Sequence, residues 1–229
     1  MKKIKQFISY FTKFELTLWC SSVALIIASY LIFDKNGYLT LIASLIGVTS
    51  LIYNAKGNPI GQALIIIFSV FYGIISFSFA YYGEMITYLG MSAPMAVIAL
   101  ISWLRNPYKG NKAQVKVNKL KLKEIVFVLM LSLVVTLAFY FILDYFNTAN
   151  IIPSTISVTT SFIAAYLTFR RSPYYAFAYA LNDIVLIVMW TLASIKSIAY
   201  VSVIICFVVF LVNDLYGFVS WLKMEKQQK

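Results

Sequence analysis

Long apolar runs separated by short polar breaks make up most of the chain. Eight of these runs approach the roughly 20 residues that a transmembrane helix needs, and they predict spans at 17–33, 39–54, 60–82, 85–104, 125–143, 151–169, 174–195 and 198–222. The breaks contain Asp, Asn, Gly and Pro, which favour turns. The break at 82–85 is the weakest, which leaves seven spans as an alternative. We therefore expect an all-α integral membrane protein with about eight transmembrane helices.

The composition agrees with a membrane protein and argues against catalysis. Hydrophobic residues make up 62% of the 229 positions and charged residues only 12%, whereas soluble domains average about 45–50% and about 25%. The chain has no histidine, and its two cysteines, Cys20 and Cys206, lie inside apolar runs. A zinc site or a disulfide framework is therefore not expected. We expect no catalytic residues, no metal, no cofactor and no enzymatic activity.

The positive charges predict how the chain lies in the membrane. With eight spans, all of the 19 Lys and Arg residues except Lys35 and Lys196 fall on one side. Short loops rich in Lys and Arg stay in the cytoplasm. We therefore expect a multi-pass protein of a bacterial cell membrane with both termini on the cytoplasmic side. The net charge of +11 then reflects orientation and contact with anionic membrane lipid. A nucleic acid is not an expected partner, because the basic stretch 112–123 lacks interleaved aromatic residues.

The ends of two spans suggest an internal repeat. Ser102-Trp103 and Ser220-Trp221 each precede a basic residue at a membrane boundary, although such residues also serve as simple helix anchors. Both copies run in the same direction, which is typical of parallel-repeat transporters with a solute site between the bundles. The expected organisation is an extra helix after a basic segment at 1–34, a first three-helix bundle at 39–104, a basic cytoplasmic loop at 105–124, a linking helix at 125–147, a second three-helix bundle at 151–222 and a tail at 223–229.

Two asparagine–aspartate pairs lie inside predicted spans, where polar groups are costly and usually functional. Helical spacing groups each pair with aromatic residues, which together suit a flat solute with polar edges. The expected substrate-binding residues are Tyr175, Tyr179, Asn182, Asp183, Trp190, Asn213, Asp214 and Tyr216. The alternative is that the two asparagine–aspartate pairs have a structural role and form hydrogen bonds between neighbouring helices. Asn54 and Gln62 lie near a turn and are expected to cap helices.

Four motifs resemble the PnuC family of bacterial nicotinamide riboside transporters, in its Gram-positive branch. They are WLRNPYKGNK at 103–112, RRSPYYA at 170–176, NDIVL at 182–186 and NDLYGF at 213–218. Their order and spacing extend the resemblance over about 39–224. The resemblance implies a parallel 3+1+3 fold like that of the SWEET sugar transporters, with one additional N-terminal helix. It also implies facilitated diffusion of an unphosphorylated vitamin precursor, which a cytoplasmic kinase then phosphorylates and traps.

One departure from the family pattern leaves the substrate open. Members that carry nicotinamide riboside resemble each other in a Trp-x-x-Trp pair, where this chain has Tyr175 and Ala178. Nicotinamide riboside is the first expectation, and a deoxynucleoside or thiamine carried on the same fold is the alternative. A proton-coupled carrier using Asp183 and Asp214 and a non-transporting membrane subunit also stay open, as does a homo-oligomer.

Overall fold

The computed structural model describes residues 10–78, 82–148, 150–195 and 197–229. Within these ranges, eight helices are long and apolar enough to cross a membrane: α1 (Lys13–Phe33), α2 (Tyr38–Ala55), α3 (Pro59–Ser78), α4 (Tyr82–Arg105), α5 (Leu122–Tyr145), α6 (Ile151–Phe169), α7 (Tyr175–Ser194) and α8 (Tyr200–Gln227). The prediction of an all-helical protein with eight membrane helices is confirmed. Lys196, which was expected in a turn, lies outside the described residues.

Several helices are longer than the hydropathy pattern predicted, and α1 and α8 show the reason. α1 begins at Lys13 because Thr12 and Glu15 form a capping box, in which each side chain accepts a hydrogen bond from the backbone N–H of the other. α8 continues to Gln227 and thus includes most of the segment expected as a tail at 223–229. Polar residues extend both helices beyond their apolar spans, which hydropathy alone does not detect.

The helices pack as a ring of six with two helices outside it. α2 to α4 contact one another in order, as do α6 to α8, and the ring closes where α2 meets α8 and α4 meets α6. α1 lies against α2 and α8, and α5 packs mainly on α6. This packing supports the proposed arrangement of two three-helix bundles, a linking helix and one extra N-terminal helix.

The two Ser-Trp pairs make matched contacts between these groups of helices. The indole Nε1 of Trp103 donates to the backbone carbonyl of Thr168 at 2.9 Å, and Nε1 of Trp221 donates to the carbonyl of Asn54 at 2.8 Å. In each case the serine before the tryptophan donates a hydrogen bond to the carbonyl one residue further along. Ser102 Oγ donates to Phe169 O, and Ser220 Oγ donates to Ala55 O. Both tryptophans are fully buried, so they hold the helices together and are not membrane-surface anchors.

A small β-hairpin covers the end of the ring at which the C-terminus lies. β1 (Pro107–Tyr108) pairs with β2 (Asn111–Val115) in antiparallel fashion around Lys109 and Gly110, which both have positive φ. The N–H of buried Val115 donates to the carbonyl of Gly57 at 2.9 Å, which fastens the hairpin to the turn between α2 and α3. The sequence predicted only a basic loop at 105–124. We call this end of the molecule the basic end.

Candidate solute-binding site

A cavity of about 60 Å³ lies inside the six-helix ring. This volume is below the roughly 300–1,000 Å³ that is usual for small-molecule sites, so side chains of the wall must move to admit a solute. Every helix of the ring contributes to its wall, whereas α1 and α5 do not. The polar side chains that line it are Asn54, Gln62, Ser69, Ser92, Ser161, Asn182, Asp183 and Asp214. The cavity therefore lies where a parallel-repeat transporter would place its solute.

Two aspartates from neighbouring helices form an acidic pair in the cavity wall. Asp183 on α7 and Asp214 on α8 are 4% and 5% exposed, and their carboxyl groups lie close enough to interact directly. Oδ2 of Asp183 is buried and has no hydrogen-bond partner among the described residues. A buried acceptor without a donor is costly, so this oxygen is suited to a ligand hydroxyl or amine. In the described part of the chain, no group of three or more His, Cys, Asp or Glu side chains is placed to hold a metal ion.

Asn182 is oriented by two hydroxyl groups of α6. Its Oδ1 accepts from Thr160 Oγ1 at 2.7 Å and from Ser161 Oγ at 3.0 Å. This fixes which end of the amide is bound to the protein and leaves the NH₂ group as a donor at the cavity wall. The geometry suits a ligand carbonyl or hydroxyl oxygen.

Asn54 and Gln62 also line the cavity, which corrects the expectation that they only cap helices. Nε2 of Gln62 donates to Oδ1 of Asn54 at 2.9 Å, and both side chains are buried. The two residues lie at similar distances on either side of the turn at 56–58, so the antiparallel helices α2 and α3 bring them face to face. That spacing around the turn is the signal that could have identified the pair.

Aromatic rings close the cavity at both ends. At the basic end, the ring of Tyr175 packs edge-on against Trp221, with centroids 4.9 Å apart, and Tyr179 lies beside it. At the opposite end, four aromatic side chains of α3, α4 and α8 line the cavity, namely Phe68, Tyr88, Phe207 and Phe210. Aromatic faces at both ends suit the binding of a planar ring by stacking.

The structure does not place Asn213 or Tyr216 on this cavity, which corrects the expectation from helical spacing. Asn213 Nδ2 donates to Ser22 Oγ at 3.0 Å, and the Tyr216 hydroxyl donates to Glu15 Oε1 at 2.9 Å. Both bonds run from α8 to α1. Adjacent residues of a helix point about 100° apart, so Asp214 faces the cavity while Asn213 faces the outer helix.

Trp190 is also absent from the cavity wall. Its side chain is fully buried beyond the aromatic end, where its ring lies 6.2 Å from Tyr72 and 5.4 Å from Tyr200. Ala178, at a position where the resemblance implied a tryptophan in nicotinamide riboside transporters, is buried and does not line the cavity either. The structure thus brings five of the eight expected site residues together, namely Tyr175, Tyr179, Asn182, Asp183 and Asp214.

A ring of membrane-spanning helices around a central polar and aromatic cavity defines a polytopic membrane protein of the solute-transporter class. The chain belongs to the family described as nicotinamide mononucleotide transporter, which it matches over residues 37–223. It is 24% identical over 220 residues to the nicotinamide riboside transporter PnuC of Neisseria mucosa, covering 94% of this chain and 83% of that protein. The protein is therefore a membrane transporter of this family, as the motifs predicted, while its assignment to a Gram-positive branch stays a prediction.

A solved structure shares this fold. The crystal structure of the vitamin B3 transporter PnuC superposes with a TM-score of 0.84 at 22% sequence identity, covering 96% of this chain and 94% of that one. At that identity, the superposition establishes the arrangement of the helices and leaves the chemistry of the cavity to be argued from the residues of this chain.

Proposed function

We propose that the protein takes up nicotinamide riboside, or a closely related nucleoside-like vitamin precursor, through the central cavity. The proposal rests on the combination of an acidic pair, fixed amides and aromatic rings around one cavity. Tyr175 and Tyr179 offer ring faces to the base, and Asn182 offers a donor to its carboxamide oxygen. Asp183 and Asp214 accept hydrogen bonds from ribose hydroxyl groups.

The charge of the cavity favours an unphosphorylated substrate. Neither Lys nor Arg occurs among the described residues that line it, and two carboxyl groups do. A phosphate would therefore be desolvated without a cationic partner and placed near acidic groups, which is unfavourable. We accordingly propose the riboside as substrate rather than the mononucleotide that the family description names.

Transport is proposed to be facilitated diffusion across a bacterial cell membrane. The basic end, with both termini, would face the cytoplasm, because short loops rich in Lys and Arg are retained there. A cytoplasmic kinase would trap the riboside by phosphorylation, since the resulting charge no longer fits the cavity. Membrane lipid surrounds the helices, and a homo-oligomer is compatible with the exposed apolar surface.

Two specific observations favour alternatives. Tyr175, which lines the cavity, stands where the resemblance implied a tryptophan in nicotinamide riboside transporters, so the base subsite would also accept a deoxynucleoside or thiamine. The direct contact of Asp183 with Asp214 favours a proton-coupled carrier, because such a pair can bind and release a proton.

A thermal-shift screen of the purified protein in detergent tests the substrate. A ligand that binds the folded state raises the melting temperature by mass action. We expect a saturable rise with nicotinamide riboside and none with nicotinamide mononucleotide or nicotinamide alone. A rise with thymidine, deoxyadenosine or thiamine instead would move the proposal to that substrate. A rise with the mononucleotide would contradict the argument from cavity charge.

A further inference from the structure

Glu84 is a buried carboxyl group that the central cavity does not use. Its side chain is 1% exposed, and neither Oε1 nor Oε2 has a hydrogen-bond partner among the described residues. It is absent from the wall of the cavity and from all ion pairs found in the described ranges. An ionisable group inside a membrane protein is costly without a partner and is a candidate functional group by default.

Glu84 lies in a closely packed part of the described structure, in which no Lys or Arg forms an ion pair with it. It lies in the first turn of α4, where the preceding residue, Gly83, packs so closely that a Cβ atom there would lie 2.2 Å from Leu143 Cδ2 and 2.7 Å from Thr148 Oγ1. Thr148 Oγ1 is itself buried without a partner, as is Ser76 Oγ on α3. Unpartnered polar atoms are therefore concentrated at this end of the molecule, opposite the basic end.

Two tyrosines connect Glu84 to the central cavity. Tyr72 on α3 and Tyr88 on α4 both lie within electrostatic range of the carboxyl group, and their ring centroids are 4.4 Å apart. Tyr88 also lines the cavity, so it connects Glu84 with the aromatic end of the site. Tyr88 belongs to a π-helical segment, Thr87–Ser92, and such segments occur frequently at functional sites.

We propose that Glu84, Tyr72 and Tyr88 form a subsite at the aromatic end of the central cavity, where Tyr88 reaches the cavity wall, that attracts a positively charged aromatic ring. A carboxylate supplies the countercharge, and tyrosine rings bind a delocalised cation through their faces. The proposal rests on the proposed function for its substrate class, because the nicotinamide ring of the riboside is a pyridinium cation. The ring would occupy this subsite on its way through the central cavity.

A matched pair of substrates separates charge from shape. Nicotinamide riboside and its 1,4-dihydro form have nearly the same size, but only the first carries a positive ring. Counterflow of each compound is measured in proteoliposomes containing wild-type protein, Glu84→Gln or Glu84→Asp. We expect Glu84→Gln to reduce transport efficiency of the cation by at least about tenfold while changing that of the neutral form less than about twofold. Glu84→Asp keeps the charge and should preserve the preference for the cation.

Three results of this experiment would overturn the proposed role of Glu84. Equal losses for the cationic and neutral forms, or no loss for either, would show that Glu84 has a structural role and would overturn the subsite. If Glu84→Gln does not fold, Glu84→Asp is compared with wild-type protein instead. Loss of the cation preference in that charged variant would also overturn the proposal. Wild-type protein that moves neither compound would instead refute the proposed function, and the subsite with it.

Discussion

At the scale of single residues, Asn182 and Asn213 have the same side chain and the same following residue, but they make different contacts. Asn182 is held through its Oδ1 by Thr160 and Ser161 and lines the cavity. Asn213 donates to Ser22 on α1 and to the carbonyl of Val209 in its own helix. The contacts assign ligand binding to Asn182 and helix packing to Asn213.

Replacing each asparagine with alanine tests this assignment. Asn182→Ala removes a ligand donor, so we expect binding of nicotinamide riboside to weaken by about 1–3 kcal/mol, or roughly 5- to 150-fold. Asn213→Ala is the matched control, and it should lower the melting temperature while changing the dissociation constant less than about threefold. Titration calorimetry and thermal unfolding in detergent measure both effects. The opposite pattern would contradict the assignment.

The two buried aspartates were identifiable from the sequence, but the sequence does not show which of the adjacent asparagines, Asn182 or Asn213, faces the cavity. Charged residues are rare in apolar spans, so Asp183 and Asp214 were recognisable from their position alone. To distinguish Asn182 from Asn213, one must know how each helix is rotated about its own axis. Hydropathy sets that rotation only weakly in helices that are apolar on most sides, because lipid and protein interior attract the same residues.

At the scale of helices, contacts between backbones and small groups of side chains determine how the ring closes. The ring of Phe210 on α8 packs directly over Gly47 of α2, in the space that a larger side chain at this position would fill. Trp103 and Trp221 bond carbonyl groups at the last turns of α6 and α2. The sequence predicted the repetition of the Ser-Trp motif, whereas its burial depends on partners more than 60 residues away.

Removing one indole N–H tests the role of the Ser-Trp motifs. Trp103→Phe and Trp221→Phe each remove a buried hydrogen bond to a carbonyl that still accepts from a backbone N–H of the following turn, so each should lower the free energy of unfolding by about 0.5–1.5 kcal/mol. Trp19→Phe provides the control, because the Nε1 of half-buried Trp19 donates to the Thr49 hydroxyl and not to a backbone carbonyl. Denaturant unfolding in detergent measures the change. A loss as large for Trp19→Phe as for the other two would contradict a specific role of the motifs.

At the scale of the whole molecule, the cavity is covered at both ends by aromatic side chains. Tyr175, Trp103 and Trp221 lie at the basic end, and Phe207 and its neighbours lie at the other. We expect passage of a solute to require movement of these side chains, which the two-bundle arrangement would allow by movement of one bundle against the other.

Much of this architecture was predictable because apolar runs of membrane length are among the clearest sequence signals. The number of spans followed from them. The hairpin at Pro107–Val115 did not, because its turn lies in a short polar loop and its strands are stabilised by contacts with the helix turns. The cavity combines residues of six helices, and its amide pair, Asn54 and Gln62, becomes visible only when the turn between α2 and α3 is built.

Facilitated diffusion of nicotinamide riboside is tested by measuring uptake of the labelled compound into proteoliposomes that contain the protein and no kinase. A facilitated-diffusion transporter should bring the internal concentration to the external value and no higher, with or without a protonophore. A nucleoside kinase enclosed in the vesicles should then raise the total internal label above that value. Accumulation above the external concentration without kinase, abolished by the protonophore, would contradict passive transport, and no uptake above protein-free vesicles would contradict the proposed function itself.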